Sequence, residues 1–383
     1  MKKFIIILIF ILIPFFSGCE KHDINRLDVI TAIGIDKTEN GFAVIIQALN
    51  QYILNPQRSV DIAPVTIKKI EASSVHEAIS KSSNHLTKKY YLNHFRILIF
   101  GEDVAREGIY KFLNFFLNFY ATQHNYNIIV VDAGTAEDLL KIHSSLELIA
   151  GIGIYEKIYN SERQYGLGLS TNLDTLLSNI ILEGSHFVLS SMKIFGDPEK
   201  GSKGDNRQSI SPDTYVAVSN LAVFKEDKLI GWLTEKESIG YQYVMNNINK
   251  SVVTIVLDDE SVITVSITSN KTKIKVNIEN DSPLIEIKCQ TKGNVLEDMS
   301  GMTKFTDEYI EEIQVKTAYE ITKMIEDCMI KSQKEFNSDI FQFSERIHRY
   351  HPKYWKNIIH NYDSIYPNID IKVTVNVKLE RIR

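Results

Sequence analysis

The period of apolar and polar positions changes several times along the chain, and each change marks an element. Residues 27–36 and 42–49 are β-branched and apolar runs separated by Asn40-Gly41, a pattern that predicts an antiparallel hairpin. Ser74 followed by Glu77 forms a capping-box pattern ahead of a polar helix over 75–89, and 95–100 reads as an apolar strand. Between Glu102 and Tyr120, the residues Ile109, Phe112, Leu113, Phe116, Leu117 and Tyr120 recur three or four apart, which predicts one helix with a broad buried face. A strand at 127–131 follows. Thr135 and Asp138 then signal a helix start, and helical spacing continues to Leu182.

Residues 196–213 interrupt this pattern with a polar stretch whose apolar member is Ile210, as expected of an exposed loop or linker. Beyond it strands predominate, at 215–224, 228–232, 252–257, 262–267, 274–278 and 284–289. Ile263, Val265 and Ile267, then Ile274, Val276 and Ile278, alternate with polar residues, and Ser269-Asn270 between them predicts a second hairpin. A helix over 306–336 aligns Ile310, Ile313, Thr317, Ile321, Met324 and Cys328 in a narrow stripe that can pack on a sheet. At the end, Ile369, Ile371, Val373, Val375, Val377 and Leu379 alternate with polar partners, so one face is core and the other wet. The expected class is α+β: multidomain, mixed or antiparallel sheets with packed helices, and a strand-rich C-terminal half carrying one long helix. The expected division is 1–18 leader, 19–195 N-terminal mixed α/β domain, 196–214 linker or exposed loop, and 215–383 C-terminal α+β domain.

The leader has its own signature. Lys2 and Lys3 precede an apolar run over 4–16, and Phe16-Ser17-Gly18-Cys19 matches a bacterial lipoprotein cleavage site, although Phe16 stands where Leu is usual. A helix of that run is about 20 Å long against a hydrocarbon core of about 30 Å, so a cleaved signal peptide is favoured over a transmembrane anchor. Cys19 is therefore the expected lipid-attachment residue. It can carry a thioether-linked diacylglycerol, and two acyl chains such as palmitate hold a protein to a membrane stably where one is marginal.

Composition narrows the partners. The formal charge of −5 becomes −7 when Lys2 and Lys3 leave with the leader, which gives no sign of a broad cationic surface for nucleic acid. Cys289 and Cys328 remain beside Cys19 with no zinc or redox spacing; a disulfide between them stays possible in an extracytoplasmic compartment, while Cys328 fits a buried thiol.

Candidate chemistry is thin. Glu345, His348, His351 and His360 gather metal-ligating side chains, yet zincins need His-Glu-x-x-His, and Pro352 ends the helix directly after His351. Solvated histidines are the simpler expectation, as for His85 and His94. Gly196, Gly201 and Ser202-Lys203 lack the order of a phosphate loop. No Gly-x-Ser-x-Gly elbow is present, and the pairs Asp258-Asp259 and Glu311-Glu312 read as exposed charge. The aromatic clusters Tyr90-Tyr91 and Tyr350, Tyr354 and Trp355 suit either interface anchors or packing. The expectation is no catalytic residue, no metal site and no cofactor.

Several runs together resemble the Ger(x)C family, the lipoprotein C subunit of nutrient germinant receptors in endospore-forming bacteria. They are Cys19, Arg26-Leu27-Asp28, Ala32-Ile33-Gly34-Ile35-Asp36, Gln47, Phe100-Gly101-Glu102, Ala105-Arg106-Glu107-Gly108, Leu221-Ala222-Val223-Phe224-Lys225 and Leu229-Ile230-Gly231-Trp232-Leu233. Phe343, Ile347-His348, Pro352 and Trp355-Lys356 continue the likeness before the last strand. Members often carry Cys-Trp-Asp at the mature start, where this chain has Cys19-Glu20-Lys21. The resemblance implies a non-enzymatic subunit, lipid-anchored on the outer face of the spore inner membrane beside two integral membrane partners of A and B type. Which subunit contacts the nutrient stays open; the membrane partners are favoured, with a scaffolding or coupling role here. A substrate-binding lipoprotein of a transporter is the alternative reading, and an envelope hydrolase the third.

Overall fold

The computed structural model describes residues 27–50, 63–85, 88–118, 125–301 and 306–382. The first hairpin forms as its pattern predicts: β1 (Leu27–Thr38) and β2 (Gly41–Leu49) pair antiparallel with Thr38 opposite Gly41, whose φ of 142° only glycine adopts comfortably. β3 (Val65–Ala72) extends the hairpin, and α1 (Val75–Ser82) starts where Ser74 accepts the Glu77 N–H, ending earlier than the polar pattern suggests. β4 (Lys89–Tyr91) pairs with the start of β1, and β5 (Ile97–Phe100) with its centre.

The single helix expected from Glu102 to Tyr120 is two. α2 (Glu102–Glu107) stops at Gly108, where φ is 123°, and α3 (Tyr110–Asn118) begins on a new axis. The break is held from outside: Asp227 accepts the Tyr110 N–H at 3.0 Å, and its carbonyl accepts that of Ile109. Helical spacing alone cannot register a glycine whose turn is fixed by a residue 117 positions away.

β6 (Asn127–Asp132), α4 (Ala136–Lys141), α5 (Ala150–Gln164), α6 (Leu173–Ile181) and β7 (Val188–Phe195) follow. The 196–214 segment then carries short helical turns at Pro198–Gly201 and Gly204–Gln208. Its Asn206 is buried and donates to the carbonyls of His143 and Thr214, while Ile210 is exposed. After it, β8 (Tyr215–Lys225) and β9 (Lys228–Trp232) return to the same sheet, β8 antiparallel to β7. The strand order is β3-β2-β1-β5-β6-β7-β8-β9, with β1, β5, β6 and β7 parallel at its centre. Those central strands are apolar on both faces because helices cover both. Ile33, Leu98, Phe100 and Ile128 pack under α1, α2, α3 and α6, and Ala32, Ile97, Ile99 and Ile129 under α4 and α5.

The second sheet has order β10-β11-β12-β13. α7 (Glu235–Val244), started by a capping box between Thr234 and Glu237, leads into β10 (Ser251–Val256). The hairpin expected around Ser269-Asn270 does not form. Instead β11 (Val262–Glu279) is one continuous strand against β12 (Ser282–Asp298), and the register slips between Ile267 and Ser269. The cause of the misreading is physical: a β-bulge inserts one residue and inverts the inward face, so Ile263, Val265 and Ile267 point in before it and Ile274 and Val276 after it. α8 (Asp307–Ile330) continues to Phe336 as a π-helical turn, close to the expected 306–336. Of the expected stripe, Ile313, Thr317, Ile321, Met324 and Cys328 are buried on the sheet, and Ile310 is half-buried. α9 (Phe343–Tyr350) and α10 (Pro352–Ile358) lead to β13 (Asp370–Ile382), which lies parallel to β12. The fold is α+β with two sheets.

Candidate functional site

Among the described residues, three groups of buried polar side chains that include Asp36, Gln47 and Asp339 hold backbone groups. Asp36 ends the inward part of β1. Its Oδ1 accepts the N–H of Ala136 at 2.7 Å and its Oδ2 that of Glu137 at 2.9 Å, so it caps the start of α4. Burial pushes its carboxyl up to about 6 against the pull of those two donors. A Cβ on Gly101 would stand 2.2 Å from Oδ1, which explains the glycine after Phe100.

Gln47, on β2, holds the next helix. Its Oε1 accepts from the Thr31 hydroxyl at 2.9 Å and from the Gly151 N–H at 3.0 Å, and a Cβ at Gly151 would stand 2.7 Å from that of Ala32. Its Nε2 is buried with no partner among the described residues. Gly34 works in the same way, its missing Cβ leaving room for Ala136. The Ala32–Asp36 run, Gln47 and Phe100-Gly101-Glu102 are thus the parts that seat α4 and α5 on β1.

The third group joins the two sheets. Asp339 is fully buried; its carboxylate accepts the N–H groups of Phe343 and Ser344 and the Tyr362 hydroxyl, and its carbonyl accepts the His186 N–H. Burial raises its carboxyl to about 6. The His186 Nδ1 accepts the N–H of Glu226 at 3.0 Å, so the neutral ring carries its proton on Nε2, and burial with Lys225 nearby pushes it down to about 4. Ser338 donates to the Phe224 carbonyl, Ser185 pairs with Ser344, and Lys225 reaches both the Asn337 carbonyl and Asp363. Lys225 of the Leu221–Lys225 run and Phe343 of the C-terminal run therefore meet here. Sequence reasoning missed Asp339 and His186, which sit in no periodic or motif context.

The other candidates separate. Glu345 pairs with Arg349, His348 stacks on Trp355, His351 bonds the Val276 carbonyl, and His360 is exposed. His85 and His94 are also exposed. Among the described residues no three metal-ligating side chains converge. Cys289 and Cys328 are free and buried, and burial pushes both thiols up. Asp258 and Asp259 part company, the first toward Lys316 and the second toward Ser261. Of the aromatics, Trp355 is buried, Tyr354 donates to the Asp281 carbonyl and Tyr350 is exposed.

Of three open concave spaces, two lie away from these groups and one borders His186. An apolar cavity of about 560 Å³ separates α1 from α3, lined by Phe42, Val75, His76, Phe112 and Phe115. A groove of about 490 Å³ runs between the end of α8 and the start of β13, past Met329, Ile330, Ile371 and Val373. A third, of about 460 Å³, lies beneath Ile180–His186 and touches Glu226, Asp227 and Asp363. Among the described residues no helix is long and apolar enough to cross a membrane, and Cys19 and Arg26 lie outside those residues.

Comparison with known proteins covers nearly the whole chain. The family described as "Spore germination protein N-terminal domain" matches residues 20–194, and "Spore germination B3/GerAC like, C-terminal" matches 219–383. Spore germination protein KC of Bacillus subtilis (strain 168) is 24% identical over 99% of this chain and 96% of its own length. Spore germination protein B3 of the same organism is 30% identical over 40% of this chain and 41% of its own. The crystal structure of the GerBC protein shares the fold, with a TM-score of 0.54, 20% identity, and coverage of 91% of this chain and 97% of that one.

Proposed function

Because the chain belongs to the GerAC-like family of spore germination proteins, we propose that it is the lipid-anchored C subunit of a nutrient germinant receptor. The observation that carries this is the extent of the match, which covers residues 20–194 and 219–383. The family is not known for enzymes, and the deeply buried acids and imidazole here are spent on capping and joining elements.

Lipid on Cys19 sets the geometry. Leu27, the first described residue, lies eight positions on, so the leash is at most about 29 Å at 3.6 Å per residue. The body stays close to the outer face of the spore inner membrane, beside two integral membrane subunits. A nutrient taken by those subunits shifts the assembly only through its differential affinity for two states, and this chain acts as scaffold or coupler between them.

The test is genetic and biochemical together. In spores lacking the chain, germination with the cognate nutrient is lost, and re-expression restores it. Cys19→Ala leaves the fold intact but releases the protein from the membrane fraction. Co-purification from spore membranes brings down two integral membrane proteins, and mass analysis of the N-terminus finds a diacylated Cys19. Normal germination of the deletion strain with every nutrient, in the absence of a paralogue, would overturn the proposal.

A further inference from the structure

β13 is a long edge strand, and its free edge is closed at two points. The Leu379 N–H donates to Gln314 Oε1 of α8 at 3.0 Å, and the Ile369 carbonyl accepts from Gln333 Nε2 at 2.9 Å. Peptide groups alternate in direction along a strand, so the odd-numbered residues between these caps face outward too. The N–H and C=O groups of Ile371, Val373, Val375 and Val377 meet no other strand among the described residues. Their side chains form a half-buried aliphatic row beside the groove at Met329 and Ile330. Such an edge is a template for another strand.

We propose that the occupant is β13 of a second copy of this chain, paired antiparallel about a two-fold axis at Thr374. The slot is self-complementary in that register. Ile371 faces Val377 of the second copy and Val373 faces its Val375, so every outward peptide group between the caps finds a partner. The next outward pair is Leu379 against Ile369, and both of those are already capped by glutamine. A shift of two residues sets Val373 against Leu379, whose N–H is taken.

Charge agrees with the register. Asp370 stands opposite Lys378 of the second copy, twice by symmetry, and neither makes an ion pair within the described residues. Lys372 meets Asn376, and Thr374 meets itself, a favourable cross-strand pair. Centring one residue later would set Lys372 against Lys378 and Asp370 against Glu380. The interface is isologous, as a two-fold dimer requires.

Cysteine cross-linking in membranes holding the full-length chain tests this. Directly opposed residues bring their Cβ atoms to about 5 Å, near disulfide reach, so Thr374→Cys forms a dimer under mild oxidant. Asn376→Cys copies lie four residues apart along the ladder, about 13 Å, and cross-link about tenfold less or not at all. Mixing Lys372→Cys chains with Asn376→Cys chains restores a cross-link that neither gives alone. Val375→Pro removes an outward N–H without touching the β12 ladder; the solubilised full chain keeps its circular dichroism spectrum while its dimer dissociation constant rises about tenfold or more. Equal cross-linking at 374 and 376, a monomer at micromolar concentration, or capture of a different protein by Thr374→Cys would each overturn the proposal.

Discussion

Asp36 reaches across one hundred residues to accept the backbone N–H of Ala136 at 2.7 Å, and the Gly101 peptide closes over the same carboxylate. Asp36→Ala strands one buried and one half-buried donor, each costing about 1–3 kcal/mol, so urea unfolding should show a loss of about 2–6 kcal/mol. Gly101→Ala should cost about 1–3 kcal/mol by steric conflict with Oδ1. Wild-type stability in both variants would mean that this cap contributes nothing.

The buried acids and the buried imidazole titrate with opposite effects on stability. Asp339 has a folded value of about 6 against an ordinary 3.8, so the folded state holds its proton longer and stability falls as pH rises between about 4 and 6. His186, at about 4 against 6.5, does the reverse, and stability falls as pH drops through the same range. At one unit per 1.4 kcal/mol each contribution is about 3 kcal/mol. The difference between wild type and His186→Gln should therefore shift in favour of the variant by about 3 kcal/mol from pH 6.5 to 4. Asp339→Asn should gain by a similar amount from pH 4 to 6. A flat difference curve in denaturant titrations would count against these assignments.

Gly240 lies where α7 crosses α8, and a Cβ there would stand 2.2 Å from the Met324 carbonyl oxygen. Gly240→Ala should lower stability by about 1–3 kcal/mol, because neither backbone can yield. Gly204→Ala meets nothing within 4 Å and should be neutral or stabilising by about 0.5–1 kcal/mol. Thermal unfolding of the pair separates close packing from a general intolerance of substitution.

Thiol titration reports on both the core and the anchor. Cys289 and Cys328 are buried with raised thiol values, so Ellman's reagent should find no fast-reacting thiol among them in the native chain. In denaturant the mature membrane-derived protein should yield two thiols if Cys19 carries a thioether, and three if it does not.

Local pattern made the α8 stripe and the alternation of β13 legible, because in each the period is that of a regular element on one buried face, and the β1–β2 hairpin legible from two apolar runs around Asn40-Gly41. The bulge in β11 and the break at Gly108 were not, since each depends on a distant partner that no window contains. Net charge also hid a local feature. Lys271, Lys273, Lys275, Lys288, Lys372 and Lys378 share the outer face of the second sheet, with Lys273 directly opposite Lys288, although the chain as a whole is acidic. Of the buried polar groups, Asp36 and Gln47 fall within the runs that resemble the Ger(x)C family, whereas Asp339 and His186 stand in no such run and meet through the His186 N–H and the Asp339 carbonyl.

β8 and β9 complete the first sheet from beyond the polar 196–214 segment, and this dictates an order of events as the chain is made. A chain emerging N-terminus first cannot cover β7 until β8 has followed it as far as Lys225, so the strand waits with an unpaired edge. A stalled or truncated product ending near residue 214 would present that edge to its neighbours. The interval for which this edge stays open is thus set by the roughly thirty residues between the end of β7 and the end of β8.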